Sequence, residues 1–136
     1  MITEILSGLW IGDHIDAYNE DFMKDNLITI VINCTIDKGF LDKDEIHKIR
    51  IPLSPHLNPQ QDLLVLKENI HKIIEYIQTS IEEKNIFIYC YNGKTISPLI
   101  VSLYMIHCGG ISKDLIRDIL RSKNENICLD VDLSIF

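Results

Sequence analysis

Ile86-Phe87-Ile88-Tyr89-Cys90-Tyr91-Asn92-Gly93-Lys94-Thr95-Ile96-Ser97-Pro98 is the stretch on which the reading of this chain turns. Residues 86–89 have the β-branched and aromatic bias of a strand buried on both faces. They lead into a short loop headed by Cys90, with Gly93 in its middle. Ser97-Pro98 then opens a helix, with Pro98 standing where its missing N–H costs little. A strand that ends in such a loop and a helix N-terminus aims several backbone N–H groups at one point, next to the positive end of a helix dipole. Anions bind in nests of this kind, and a thiol held there ionises more readily. A plainer description also fits: a buried cysteine closing a strand, with a tight turn after it.

Working outward, β-type runs alternate with helical ones, the pattern of an α/β layer architecture. Residues 5–11 read as one or two short strands broken at Ser7-Gly8, and residues 15–24 as a short helix. Ile28–Asn33 is a continuous β-branched run. Residues 45–53 alternate at Ile49, Ile51 and Leu53. Residues 62–81 are the clearest helix: Leu63, Leu66, Ile70, Ile73, Ile74 and Ile77 fall on one stripe, with Asp62 as its expected N-cap. The helix opened by Ser97-Pro98 is expected to stop at Gly109-Gly110. Ser112 is expected to cap a last helix running to about Arg121. Residues 126–136 fit either a shortened helix or a strand-like tail. The chain reads as a single domain, residues 1–136, with no repeat or linker.

Composition narrows the function. The 136 residues are 46% apolar and 24% charged, and 13 basic against 20 acidic side chains leave a net charge of −7. No basic stripe suits nucleic acid, and no polybasic patch suits a membrane surface. No apolar run approaches a membrane span, and Met1-Ile2-Thr3-Glu4 lacks a secretory pattern, so a cytoplasmic or nuclear setting is expected. Cys34, Cys90, Cys108 and Cys128 are far apart and form no CxxC pair, so neither a zinc site nor a disulfide framework is expected, and no cofactor is implied. Richness in Ile, Asn and Lys, with the single alanine Ala17, suggests an AT-rich genome such as a virus's or a parasite's.

The loop resembles the phosphate-binding loop of cysteine-dependent protein phosphatases, and of the dual-specificity phosphatases in particular, whose signature runs HCxxGxSRS. Residues 5–12 (ILSGLWIG) are similar to the family's opening strand pair, and residues 28–35 to its "V-[IL]-N-x-[ST]" strand. Ile51-Pro52-Leu53 resembles the strand before the general-acid loop, residues 99–106 the helix behind the phosphate loop, and residues 112–121 the next helix. The resemblance implies three layers: a central, mixed, mostly parallel sheet with helices on both faces. It places Cys90 at the nucleophile and Gly93 at the loop glycine. Thr95 falls at the hydroxyl that helps the thiolate leave, and Ser97 at the serine after the arginine. Tyr91, Asn92, Gly93, Lys94 and Ser97 then form the phosphate-binding loop. Cys34 falls where some relatives carry a second cysteine that pairs reversibly with the nucleophile; a packed thiol is the competing reading.

Three positions depart from the family. Ile96 stands in place of the arginine, Tyr89 in place of the histidine, and Pro55, in Ser54-Pro55-His56, in place of the aspartate that protonates the leaving group. A missing guanidinium fork costs about 10²- to 10³-fold in rate, and a missing acid about 10²- to 10⁴-fold more. The expectation is therefore a pseudophosphatase that acts by binding a protein partner, phosphorylated or not, as competitor or scaffold in signalling. Two rivals stand beside it. One is a weakly active phosphatase using Cys90, with Lys94 supplying charge or His56 the proton. The other is a homodimer packed through the apolar tail, residues 131–136, left by a final helix that looks cut short. His14, His47, His71 and His107 read as structural.

Overall fold

The structure, a computed structural model, describes residues 2–136; residue 1, where the expected domain begins, lies outside the described residues. Five strands, β1 (Thr3–Leu6), β2 (Leu9–Asp13), β3 (Ile28–Asn33), β4 (His47–Arg50) and β5 (Asn85–Cys90), form one sheet in the order β1-β2-β5-β3-β4. β1 and β2 are antiparallel, and every other pairing is parallel. The sheet is thus mixed and mostly parallel, as expected, and β5 lies at its centre.

Side-chain alternation along β5 builds the two outer layers. Ile86, Ile88 and Cys90 point to one face, and Phe87 and Tyr89 to the other. The first face is covered by α2 (Asp62–Ser80), α3 (Ile96–Gly109) and α4 (Ile116–Lys123), which bring Leu66, Ile70, Leu99, Leu103, Ile116 and Leu120 onto it. The second carries α1 (Glu20–Asp25), whose Phe22 packs edge-on against both Trp10 and Phe87 at 5.3 Å. On β3 the alternation slips, because a register shift between Ile28 and Ile30 sends both Ile28 and Val31 to the α1 side.

Several local expectations are corrected. The helix over residues 15–24 is broken at Asn19: a single 3₁₀ turn (Asp16–Tyr18) precedes α1, and the Asn19 carboxamide caps α1 by accepting from Phe22 N at 3.0 Å. Such a cap outcompetes helix continuation because it satisfies an orphan N–H. Asp62 is the first residue of α2 and not its cap. Ser112 accepts from Asp114 N at 3.2 Å, which ties down a turn, and α4 begins only at Ile116. The strand expected over residues 45–53 narrows to His47–Arg50. Helix α3 ends where expected, with Gly110 left-handed at φ 65°.

The tail runs along its own domain and finishes in a 3₁₀ turn (Leu133–Ile135), with Ile127, Leu129 and Leu133 buried in the main core. Within residues 131–136 Leu133 is buried and Val131 and Phe136 pack partly against that core, whereas Ile135 is exposed. No helix among the described residues is long and apolar enough to cross a membrane.

Candidate active site: a phosphate-type loop at the end of β5

The carboxyl end of the central parallel strand is where open α/β sheets place their ligands, and here β5 ends in Cys90. Residues 91–95 bridge to α3, whose first residue is Ile96. The loop is possible because Gly93 is left-handed, at φ 69°, and lies on the backbone of β2: an added Cβ would come within 2.9 Å of the Gly12 carbonyl carbon. Gly93→Ala should therefore shift the loop and destabilise the fold by about 2 kcal/mol, combining positive φ with a steric clash. A urea melt checks it, and a loss under about 0.5 kcal/mol would show that the contact yields.

Cys90 is fully excluded from solvent, at 0% exposure. Its sulfur accepts from Ser97 N at 3.3 Å, lies 3.3 Å from Ser97 Oγ, and donates to Asn92 Oδ1 at 3.7 Å. The hydroxyl beside the sulfur is thus that of Ser97. Thr95, to which the sequence reading gave that place, turns its hydroxyl to Asn92 Oδ1 at 3.3 Å. One turn of α3 explains the difference: Ser97 lies inside the helix facing β5, whereas Thr95 is the half-exposed residue before it.

Asn92 is the residue whose side chain the sequence reading undervalued. Its carboxamide oxygen accepts from Lys94 N at 2.9 Å as well as from Thr95 Oγ1 and the Cys90 thiol. Donors that an anion would need are therefore engaged within the loop. Asparagine two residues before a turn amide is a recognised turn former, so the signal was present in Asn92-Gly93-Lys94.

Among the described residues no arginine bonds to the loop. Ile96 is 1% exposed and belongs to the main core. All three arginines of the chain bind backbone carbonyls elsewhere. Arg50 donates to Thr35 O at 2.9 Å and Lys38 O at 2.8 Å, Arg117 to Leu129 O at 2.6 Å, and Arg121 to Ile127 O at 3.4 Å. The Lys94 residue is exposed, and its carbonyl accepts from Cys128 N at 2.8 Å.

Tyr89, at the histidine position, donates its hydroxyl to Gly39 O at 2.6 Å, and burial holds the phenol far above its ordinary range. Tyr91 accepts from Ile36 N at 2.9 Å. Both tyrosines thus tether the loop after β3, with Arg50 stacked over Phe40 at 5.1 Å completing the anchor.

Pro55 does come to the loop. It lines a cleft of about 330 Å³ with His56, Leu57, Asn92, Thr95 and the tail residues Cys128, Asp130 and Val131. The carboxylate found in this cleft is Asp130, to which Cys128 donates at 2.9 Å, and that bond raises the Cys128 thiol above its ordinary range. A negative charge at the mouth opposes an incoming phosphate. Asp62, the nearest acid in α2, is committed to Ser54 and Asn58. Cys34 and Cys90 are both free and buried. Burial, and then the neighbouring Cys90, raise the Cys34 thiol well above its ordinary range. Among the described residues no group of three or more His, Cys, Asp or Glu is placed to hold a metal ion.

The model of the dual specificity phosphatase catalytic domain matches residues 9–133. The chain belongs to the dual-specificity phosphatase family. Dual-specificity phosphatase structures share its fold. Human DUSP28 superposes with a TM-score of 0.83 at 15% identity, covering 95% of this chain and 84% of its own. A mouse putative dual specificity phosphatase, solved with zinc tungstate, gives 0.84 at 17% identity over 98% and 82%. The human tyrosine phosphatase-like serine/threonine/tyrosine-interacting protein gives 0.82 at 16% identity over 96% and 88%. No curated protein matches the chain by sequence. The family match spans the loop that Cys90 heads.

Proposed function

We propose that this dual-specificity phosphatase domain is a pseudophosphatase that works by binding a protein partner. The observation that carries the reading is the missing cation. Ile96 is packed into the core, and every arginine is bonded to carbonyls away from the loop. Transfer of a phosphoryl group to a thiolate leaves charge on the equatorial oxygens, and a bidentate guanidinium is the fork that matches them. Without it, and with Pro55 where an acid would protonate the leaving oxygen, neither end of the displacement is stabilised. The internal bonds of Asn92 and the Asp130 carboxylate at the mouth weaken anion capture further. One structural relative is named for interaction, which is the kind of role proposed here.

A second reading, slow turnover, is favoured by one feature: Cys90 keeps both the amide and the hydroxyl of Ser97 at its sulfur. Turnover of an aryl phosphate by the wild type beside Cys90→Ser separates the two. Equal rates are expected. A wild-type rate about tenfold or more above Cys90→Ser would establish the second reading, and loss of that rate in Lys94→Ala would assign the charge to Lys94.

A further inference from the structure

Residues 127–131, between α4 and the final 3₁₀ turn, belong to no helix or strand, yet their side chains alternate as a strand's do. Ile127 and Leu129 are buried in the core, while Cys128 and Asp130 line the cleft at the phosphate loop beside Asn92 and Thr95. No neighbouring strand holds this strap. Among the described residues, positions 128–131 make a single backbone–backbone bond, from Cys128 N to Lys94 O at 2.8 Å.

What holds it instead is α4. Arg117 donates from Nε to Leu129 O at 2.6 Å and from Nη2 to Val131 O at 2.9 Å. Arg121, one turn further on, donates from Nε to Ile127 O at 3.4 Å. Alternate carbonyls of the strap thus face one side of α4, where arginines four residues apart are neighbours. A planar guanidinium bridges two carbonyls in a fixed fork, which an ammonium does not.

The strap also connects to the thiol. Lys94, whose carbonyl takes the Cys128 N–H, donates its own N–H to Asn92 Oδ1 at 2.9 Å. That oxygen in turn accepts from the Cys90 thiol at 3.7 Å. A chain of hydrogen bonds therefore runs from two exposed arginines, through the strap and the loop, to a residue with no solvent exposure.

We infer that Arg117 and Arg121 are positioning residues that clamp the strap to the phosphate loop, hold Asn92 on the Cys90 sulfur and so close the cleft over the thiol. Because the clamp is built from exposed side chains on one short helix, the strap opens locally, without unfolding of the sheet. The assignment concerns access to Cys90, and it stands whether the loop turns over a phosphate or only binds a partner.

The test is the rate at which iodoacetamide alkylates each cysteine, read by peptide mass mapping. The proteins compared are the wild type, Arg117→Ala/Arg121→Ala and Arg117→Lys. Cys90 and Cys34 are both buried, but Cys34 follows β3 and has no bond to the strap, so it reports loss of the whole fold. In the double variant Cys90 should react about tenfold faster or more, with Cys34 unchanged, since opening no longer breaks three bonds from charged donors. Arg117→Lys, which keeps the charge without the fork, should fall between the two. Hydrogen exchange at the Cys128 and Lys94 amides should rise in the double variant, while β5 stays protected. An unchanged Cys90 rate, an equal rise at Cys34, or unchanged exchange at the Cys128 amide would each overturn the assignment.

Discussion

The double variant Ile96→Arg/Pro55→Asp should turn over an aryl phosphate about 10²- to 10³-fold faster than the wild type, which should match Cys90→Ser. The arginine carries most of that gain with an aryl substrate, whose leaving group needs little help from an acid. Ile96 is buried in the main core beside Cys90, so a guanidinium placed there loses its water and gains no partner until an anion arrives. Ile96→Arg alone should therefore lose about 3 kcal/mol of stability. Inorganic phosphate should restore part of it, because a ligand that binds only the folded state raises stability by mass action. The wild type, with no guanidinium in the loop, should melt at the same temperature with and without phosphate. A folded double variant that responds to phosphate and still shows no turnover would place the defect in the loop's shape, with Asn92 the next residue to replace. A wild type that already matches the double variant would overturn the pseudophosphatase reading.

The sequence revealed the site's framework more fully than its wiring. Ile86-Phe87-Ile88-Tyr89 announced a strand buried on both faces, and the loop's place followed from the strand, Gly93 and Pro98, because each is a local signal. The differences at the helix starts near Asn19, Asp62 and Ser112 share a cause: all are polar residues near helix starts, where several side chains compete to satisfy the same few N–H groups. Tertiary geometry decided which of them capped. The contact of Ser97 with the Cys90 sulfur depends on helix phase, which motif spacing alone left with Thr95. Asp130 was beyond reach for a different reason. It comes to the cleft from the tail, and no periodicity links that segment to the loop.

Asp62→Ala should lose about 3 kcal/mol, lowering the midpoint by about 10 °C, the largest stability effect expected of a polar substitution in this chain. The carboxylate is 4% exposed and accepts from Ser54 N at 3.1 Å, from the Ser54 hydroxyl and from Asn58 N. Removing it strands three donors, and donors left unsatisfied cost about 1–3 kcal/mol each before relaxation. A negative charge in the first turn of α2 is lost with it, worth about 0.3–1 kcal/mol more. Ser54→Ala removes only one of the three bonds and should cost about 1 kcal/mol. The consequence reaches the cleft, because the segment that Asp62 clamps carries Pro55, His56 and Leu57. Leu57 is itself left-handed, at φ 49°, a conformation unfavourable by about 1 kcal/mol or more for leucine and held by this clamp. Released, residues 54–58 should relax toward ordinary backbone angles, and hydrogen exchange there should rise well above that of α2. Urea melts and exchange of the same variant test both halves of the argument. A loss under about 1 kcal/mol, with exchange at residues 54–58 unchanged, would show that these residues hold their shape without Asp62. Any partner that reads the cleft mouth would then be reading a surface fixed by the phosphate loop and the tail alone.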